Sequence, residues 1–336
     1  MSKKTLNLHI GSPKTGSTSI QEIFAKNRQN LRYQGFNYPG KNLDHHFLYF
    51  ASKAPRESWP RHFKGIEESK LRAYLIKYFK ELEEGFQHEE KIIISTEYIF
   101  FSDKEMVENI ISYLRRFFDE IKIFCFLREP INYYKSSQQQ LIKGQSYIKS
   151  PATFCYDFKK VLKIWGELAD DVVALDFDKN DNSFLRLCNK MRIDPKGFRH
   201  VDHRTKSSVS IEQMLLFEKI YKNIYLKYDD QLSGKLHVKT IAQINTNHTN
   251  KPELNSGVDS IIYRNHREDL LWLKNIYGIN YINQKYEDNS SEKILSFDGD
   301  KTTVRDVFKV PNEQLVEKYE AHIIDLLLKK LVRQAS

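Results

Sequence analysis

Near the start of the chain, Gly11-Ser12-Pro13-Lys14-Thr15-Gly16-Ser17-Thr18 stands between an apolar run and a helical pattern. Leu6-Asn7-Leu8-His9-Ile10 before it reads as a strand. Ile20, Ile23 and Phe24 after it recur at i, i+3 and i+4, and Leu31 closes the pattern, so a helix is expected to begin near Ser17. A strand, a glycine turn and a helix in that order gather backbone N–H groups and the positive end of a helix at one spot. Such a spot suits a phosphate, and it commits the chain to an α/β architecture.

In an ordinary nucleotide-binding loop of the form G-x-x-x-x-G-K-[ST], the lysine directly precedes the Ser/Thr and reaches the β- and γ-phosphates. Here Ser17 holds that place, and the lysine has moved back to Lys14. The nest of N–H groups remains, but the cation now approaches from the loop.

The rest of the chain extends the α/β pattern. Ile92-Ile93-Ile94, within Lys91 to Ser95, and Ile121 to Leu127 read as strands buried on both faces, and Val172 to Leu175 as a fourth strand. Between them helices are predicted over 66–86, 104–118, from Pro130 to about Leu141, and along the face Phe154, Phe158, Val161, Leu162, Trp165. Tyr33 to Gly40 reads as a turn-rich loop, and Asp44 to Ala51 as a short helix with Asp44 at its N-cap. After about residue 200 only helices are expected, over 211–228, 257–277 and 311–333, with a loop or hairpin over 285–301. The fold class is therefore α/β, a mainly parallel central sheet flanked by helices, with a helical C-terminal part.

Among 336 residues, 53 Lys and Arg oppose 44 Asp and Glu, a net charge of +9, which suits an anionic ligand without choosing one. The charge is scattered and no nucleic-acid-binding motif accompanies it, so no nucleic acid is expected as a partner. Cys125, Cys155 and Cys188 form no C-x-x-C pair and read as buried, reduced thiols. No secretory signal and no membrane-length apolar stretch is seen, so the expected location is the cytoplasm.

The string His9-Ile10-Gly11-Ser12-Pro13-Lys14-Thr15-Gly16-Ser17-Thr18-Ser19-Ile20-Gln21 resembles the opening of bacterial-type sulfotransferases that use 3′-phosphoadenosine 5′-phosphosulfate (PAPS). Tyr38-Pro39 and the pair His45-His46 resemble them too, as does the Trp165 to Ile193 segment, and more weakly Ser208-Val209-Ser210 and Tyr277-Gly278-Ile279. An independent motif is Arg128 at the end of a strand with Ser136 eight residues later. The resemblance implies a P-loop NTPase-like sulfotransferase fold over 1–280, leaving 281–336 as a C-terminal loop and helix extension without a counterpart.

It also implies roles. Lys14, Thr15, Gly16, Ser17 and Thr18 would hold the 5′-phosphate side of PAPS, with Lys14 stabilising the leaving phosphate. Arg128 and Ser136 would hold the 3′-phosphate, a dianion that suits a bidentate guanidinium. The product would be 3′,5′-adenosine bisphosphate (PAP), no metal would be required, and the acceptor would be a saccharide or glycolipid hydroxyl. A hydroxyl acceptor needs a general base, and Glu97 and His45 or His46 are the candidates. The competing readings are a nucleotide kinase or NTPase, with Asp176 as its acidic magnesium ligand, a nucleic-acid-binding protein, and an inactive donor-binding protein. The oligomeric state is not legible.

Overall fold

Four apolar runs of the sequence and one two-residue strand lie side by side as a wholly parallel sheet in a computed structural model that describes residues 3–178, 180–199, 209–223, 251–286, 297–310 and 312–335. The chain divides into two units, each built from three stretches. Met1–Glu129, Asp157–Arg204 and Glu268–Tyr281 form the first; Pro130–Tyr156, Thr205–Arg267 and Ile282–Ser336 form the second. Strands β1 (Thr5–His9), β2 (Phe36–Asn37), β3 (Lys91–Ser95), β4 (Glu120–Leu127) and β6 (Asp171–Asp176) belong to the first unit; β5 (Ile148–Lys149) and β7 (Lys301–Thr302) belong to the second.

The sheet of the first unit runs β2-β3-β1-β4-β6. Parallel strands covered on both faces carry unbroken apolar runs rather than alternation. Ile92, Ile93 and Ile94 in β3, and Ile123, Cys125, Phe126 and Leu127 in β4, are accordingly buried. Helices α1 (Ser17–Lys26), α2 (Arg28–Arg32), α3 (Arg61–Lys64), α4 (Glu68–Phe86), α5 (Lys104–Leu114), α7 (Phe158–Leu168) and α8 (Ser183–Met191) complete this unit. Successive residues of a strand face opposite ways. Phe124 and Phe126 turn to the face where Ile20, Ile23 and Phe24 of α1 meet Phe184, Leu187 and Cys188 of α8 in one core cluster. Each such large apolar side chain contributes about 1.5–3 kcal/mol on burial.

Register decides what the sheet presents at its edge. His9 is level with Ser95 on one side and Phe124 on the other, and Leu127 is level with Asp176. The chain segments after β1, β3, β4 and β6 therefore leave from the same carboxyl edge. Those segments carry Gly11, Glu97, Arg128 and Phe177.

In the second unit, α6 (Pro130–Leu141) starts at Pro130, as a residue without an N–H is suited to do. Its Tyr133 stacks on Tyr156 at 4.0 Å, and Tyr134 Oη donates to Lys149 O at 2.5 Å. The antiparallel pair β5–β7, α9 (Ile211–Asn223), residues 258–267 of α10 (Val258–Tyr277), α11 (Val304–Val307) and α12 (Glu313–Ala335) make up the remainder; residues 268–277 of α10 count to the first unit.

Several boundaries differ from the sequence expectation. The turn-rich stretch Tyr33 to Gly40 contains β2, too short at two residues to show a period. Asp44 to Ala51 forms a 3₁₀ turn, His46–Ser52, rather than an α-helix; Asp44 Oδ1 still accepts from the His46 N–H at 3.1 Å. The helix expected over 104–118 stops at Leu114, because Phe117 and Phe118 are drawn onto Phe86 at 5.2 and 4.9 Å. Phe154 packs on Tyr134 at 4.8 Å, so α7 starts only at Phe158. Cys155 precedes that helix and is exposed, which corrects its reading as a buried thiol; Cys125 and Cys188 are buried. Residues 224–228 of one expected helix, 287–296 of the expected loop, and Ser208 lie outside the described residues. Among the described residues no helix is long and apolar enough to cross a membrane.

Candidate functional site

The glycine loop bridges β1 and α1 with three residues in the left-handed region: Gly11 at φ 72°, Lys14 at φ 70° and Gly16 at φ 80°. Gly11 has a second reason to lack a side chain. A Cβ there would lie 2.8 Å from Glu97 Cβ and 2.9 Å from Ser17 Oγ. Lys14 pays the usual steric cost of a non-glycine residue in this region, a cost found at sites where the loop shape itself is needed. Thr15 Oγ1 donates to Ser12 O at 2.6 Å and closes the loop from inside. Gly16 is the N-cap of α1, and its carbonyl receives the N–H groups of Ser19 and Ile20 at 3.0 and 3.3 Å. Lys14, Gly16 and Thr18 are exposed, while Thr15 and Ser17 are buried. Ser17 Oγ is buried without a hydrogen-bond partner among the described residues.

Arg128 comes from the end of β4 back to this loop. Its Nη1 donates to Lys14 O at 3.1 Å, and its guanidinium lies 5.6 Å from the centre of the Phe177 ring. At 8% exposure it is a nearly buried cation beside the turn that carries Lys14. Phe177 also approaches the other end of the loop, 3.7 Å from where a Cβ on Gly16 would sit. The first unit thus gathers a left-handed glycine turn, a helix N-terminus, Lys14 and Arg128, an arrangement that favours anions. Ser136, the partner that the sequence set beside Arg128, stands half-buried on α6 of the second unit.

Glu97 follows β3 and packs against Gly11. Gln21 Nε2, on buried α1 surface, donates to Glu97 Oε2 at 2.9 Å. His46 Nε2 lies 3.8 Å from Glu97 Oε1 and 3.7 Å from Asp44 Oδ2. The imidazole is fixed by Thr96 Oγ1 at 3.1 Å from Nδ1 and by stacking on Tyr98 at 3.9 Å. Burial, with help from the Glu97 and Asp44 charges, pushes the Tyr98 phenol up to about 12, so it stays protonated. A carboxylate, an imidazole and a second carboxylate in a row can accept and pass a proton.

His45 is placed differently. The Ser95 N–H donates to its Nδ1 at 3.2 Å, and its Nε2 faces Pro39 O at 3.0 Å, so the neutral Nε2–H tautomer uses both nitrogens on backbone. Burial pushes its pKa down to about 4. Of the two histidines, His46 is the one beside Glu97, and His45 holds the Pro39 loop against β3. His9, also buried, contacts Ser95 Oγ at 2.8 Å through Nδ1, and burial pushes it down to about 3.

Asp176 at the end of β6 is taken up by Arg186. The guanidinium pairs with the Asp176 carboxylate, donates to Asp176 O at 2.6 Å, and reaches Asp181 Oδ2 at 3.2 Å. Among the described residues no group of three or more His, Cys, Asp or Glu side chains is placed to hold a metal ion. Gln21, Thr96 and Phe177 were not singled out from sequence. Gln21 carried a signal, since it lies one helical turn beyond Ser17 on the helix that opens at the loop. Comparison with protein-family models, with curated proteins and with solved structures finds no match for this chain.

Proposed function

We propose that the protein is a sulfotransferase that moves a sulfuryl group from PAPS to a hydroxyl acceptor, a saccharide or glycolipid. The observation that carries this reading is the Arg128–Lys14 contact: a second cation, delivered by a different strand, stands beside the glycine loop. One phosphate needs only the loop. A donor with phosphates at both its 3′ and 5′ positions gives both cations a task. The loop N–H groups, Lys14, Thr15, Gly16, Ser17 and Thr18 hold the 5′ side. Arg128 meets the 3′-phosphate.

In the reaction the acceptor oxygen attacks sulfur. The bond from sulfur to the 5′-phosphate oxygen breaks in line with the new bond, and PAP leaves. Lys14 and the loop stabilise the charge that grows on the leaving phosphate. The acceptor proton passes to Glu97, with His46 beside it as relay and Gln21 fixing the carboxylate. His45 positions this group and does not exchange protons. The transferred sulfuryl group carries a single negative charge, so less charge has to be neutralised at it than at a phosphoryl group, and the reading needs no metal there. Asp176 is committed to Arg186, which weighs against its use as a magnesium ligand in an NTPase.

Sulfur-35-labelled PAPS, incubated with the protein and a mixed polysaccharide and glycolipid extract, tests this reading. Label is expected in the carbohydrate fraction with chelator present, and not with Lys14→Ala. Magnesium-dependent transfer or hydrolysis of the ATP γ-phosphate, without sulfuryl transfer, would overturn it.

A further inference from the structure

His46 faces two carboxylates on one side of its ring and a hydroxyl on the other. Nε2 lies 3.8 Å from Glu97 Oε1 and 3.7 Å from Asp44 Oδ2. Nδ1 lies 3.1 Å from Thr96 Oγ1. A neutral imidazole has one donor and one acceptor nitrogen, and the partner of one nitrogen sets the role of the other.

Two observations bear on that role from opposite sides of the ring. Thr96 is buried at 0% exposure, and its Oγ1 already accepts from the Tyr98 N–H at 3.3 Å. Its hydroxyl proton still needs an acceptor, because a buried donor left unpaired is costly. Among the described residues that acceptor is His46 Nδ1. On the other side, ionised carboxylates accept hydrogen bonds and cannot donate them, so they favour a proton on Nε2 over a lone pair there.

We propose that Thr96 is a positioning residue for His46: its hydroxyl donates to Nδ1 and holds the neutral ring with its proton on Nε2, towards Glu97 and Asp44. The surroundings keep both partners in place. Asp44 Oδ1 accepts from the His46 backbone N–H at 3.1 Å. Tyr98 orients Thr96 Oγ1 through its own N–H and covers the imidazole with its ring, 3.9 Å away and 16° from parallel. Phe63 meets Tyr98 edge-on at 5.9 Å from behind. When His46 takes up a second proton, Nδ1 becomes a donor, and the Thr96 hydroxyl turns to accept from it. A hydroxyl serves both states of the ring, and a methyl group serves neither. That this arrangement assists sulfuryl transfer rests on the sulfotransferase reading; the state of the ring does not.

Nitrogen-15 NMR of the imidazole rings tests the proposal on the full chain in mildly alkaline buffer, with His46→Gln identifying the His46 signals. The wild type is expected to show Nε2 protonated and Nδ1 unprotonated and hydrogen-bonded. Thr96→Val, which keeps the shape and loses the hydroxyl, should lose the hydrogen-bond signature at Nδ1, and Thr96→Ser should restore it. A proton on Nδ1 in the wild type, or an Nδ1 signal unmoved in Thr96→Val, would overturn the proposal. In sulfuryl transfer from labelled PAPS, Thr96→Val should lower kcat about ten-fold with PAP affinity unchanged, and Thr96→Ser should recover most of the loss. An unchanged kcat in Thr96→Val would overturn the positioning role as well. The expected ring signals in a wild type that transfers no sulfuryl group would uphold the Thr96–His46 bond and overturn the sulfotransferase reading instead.

Discussion

At the scale of single residues, Gly11 ties the two halves of the site together. Its positive φ and its contact with Glu97 leave no room for a Cβ. Gly11→Ala is expected to cost about 1–3 kcal/mol of stability and to abolish PAP binding, as checked by denaturant titration and calorimetry. The buried histidines give a different expectation. His45 is held neutral with its pKa lowered from 6.5 to about 4, so the unfolded chain binds the extra proton between those values. Its contribution is complete above 6.5 and is lost as pH falls towards 4, with a slope of about 1.4 kcal/mol per pH unit. In His45→Gln, denaturation curves between pH 7 and 4 should show a shallower loss on acidification. The need for glycine at 11 and 16 was legible in the string, because a turn feeding a helix demands it. The different placement of His45 and His46 was not: adjacent identical residues are told apart only by which backbone groups the fold brings to each.

At the scale of elements, the strands delivered what their composition implied. Ile92 to Ser95 of β3 and Ile123 to Leu127 of β4 are buried, and Arg128 emerges where β4 ends. The misreadings fell where distant aromatic contacts set a boundary, as at Phe117 and Phe118, or where an element was too short for a period, as in β2. Helix α8 offers a test of local design. Asn182 caps it, its side chain accepting from the N–H groups of Phe184 and Leu185 at 3.1 and 3.2 Å. Asn182→Ala should lower stability by about 1 kcal/mol, seen as a reduced Tm. The same helix carries Arg186 to Asp176. Asp176→Asn should therefore leave PAP affinity unchanged both with magnesium and with chelator, whereas a metal ligand at this position would make the magnesium-supported affinity depend on it.

At the scale of the molecule, each unit is woven from three separate stretches, a division that hydrophobic periodicity along the chain does not announce. The glycine loop, Arg128, Glu97 and His46 all belong to the first unit, and the net charge of +9 is in keeping with the anionic donor proposed. The most direct measurement is calorimetric titration of the full chain with PAP and with 5′-AMP in the presence of chelator. PAP is expected to bind at least about ten-fold more tightly than 5′-AMP, with that advantage lost in Arg128→Ala. Equal affinity for the two nucleotides, or tight binding of magnesium-ATP indifferent to a 3′-phosphate, would contradict the two-phosphate site.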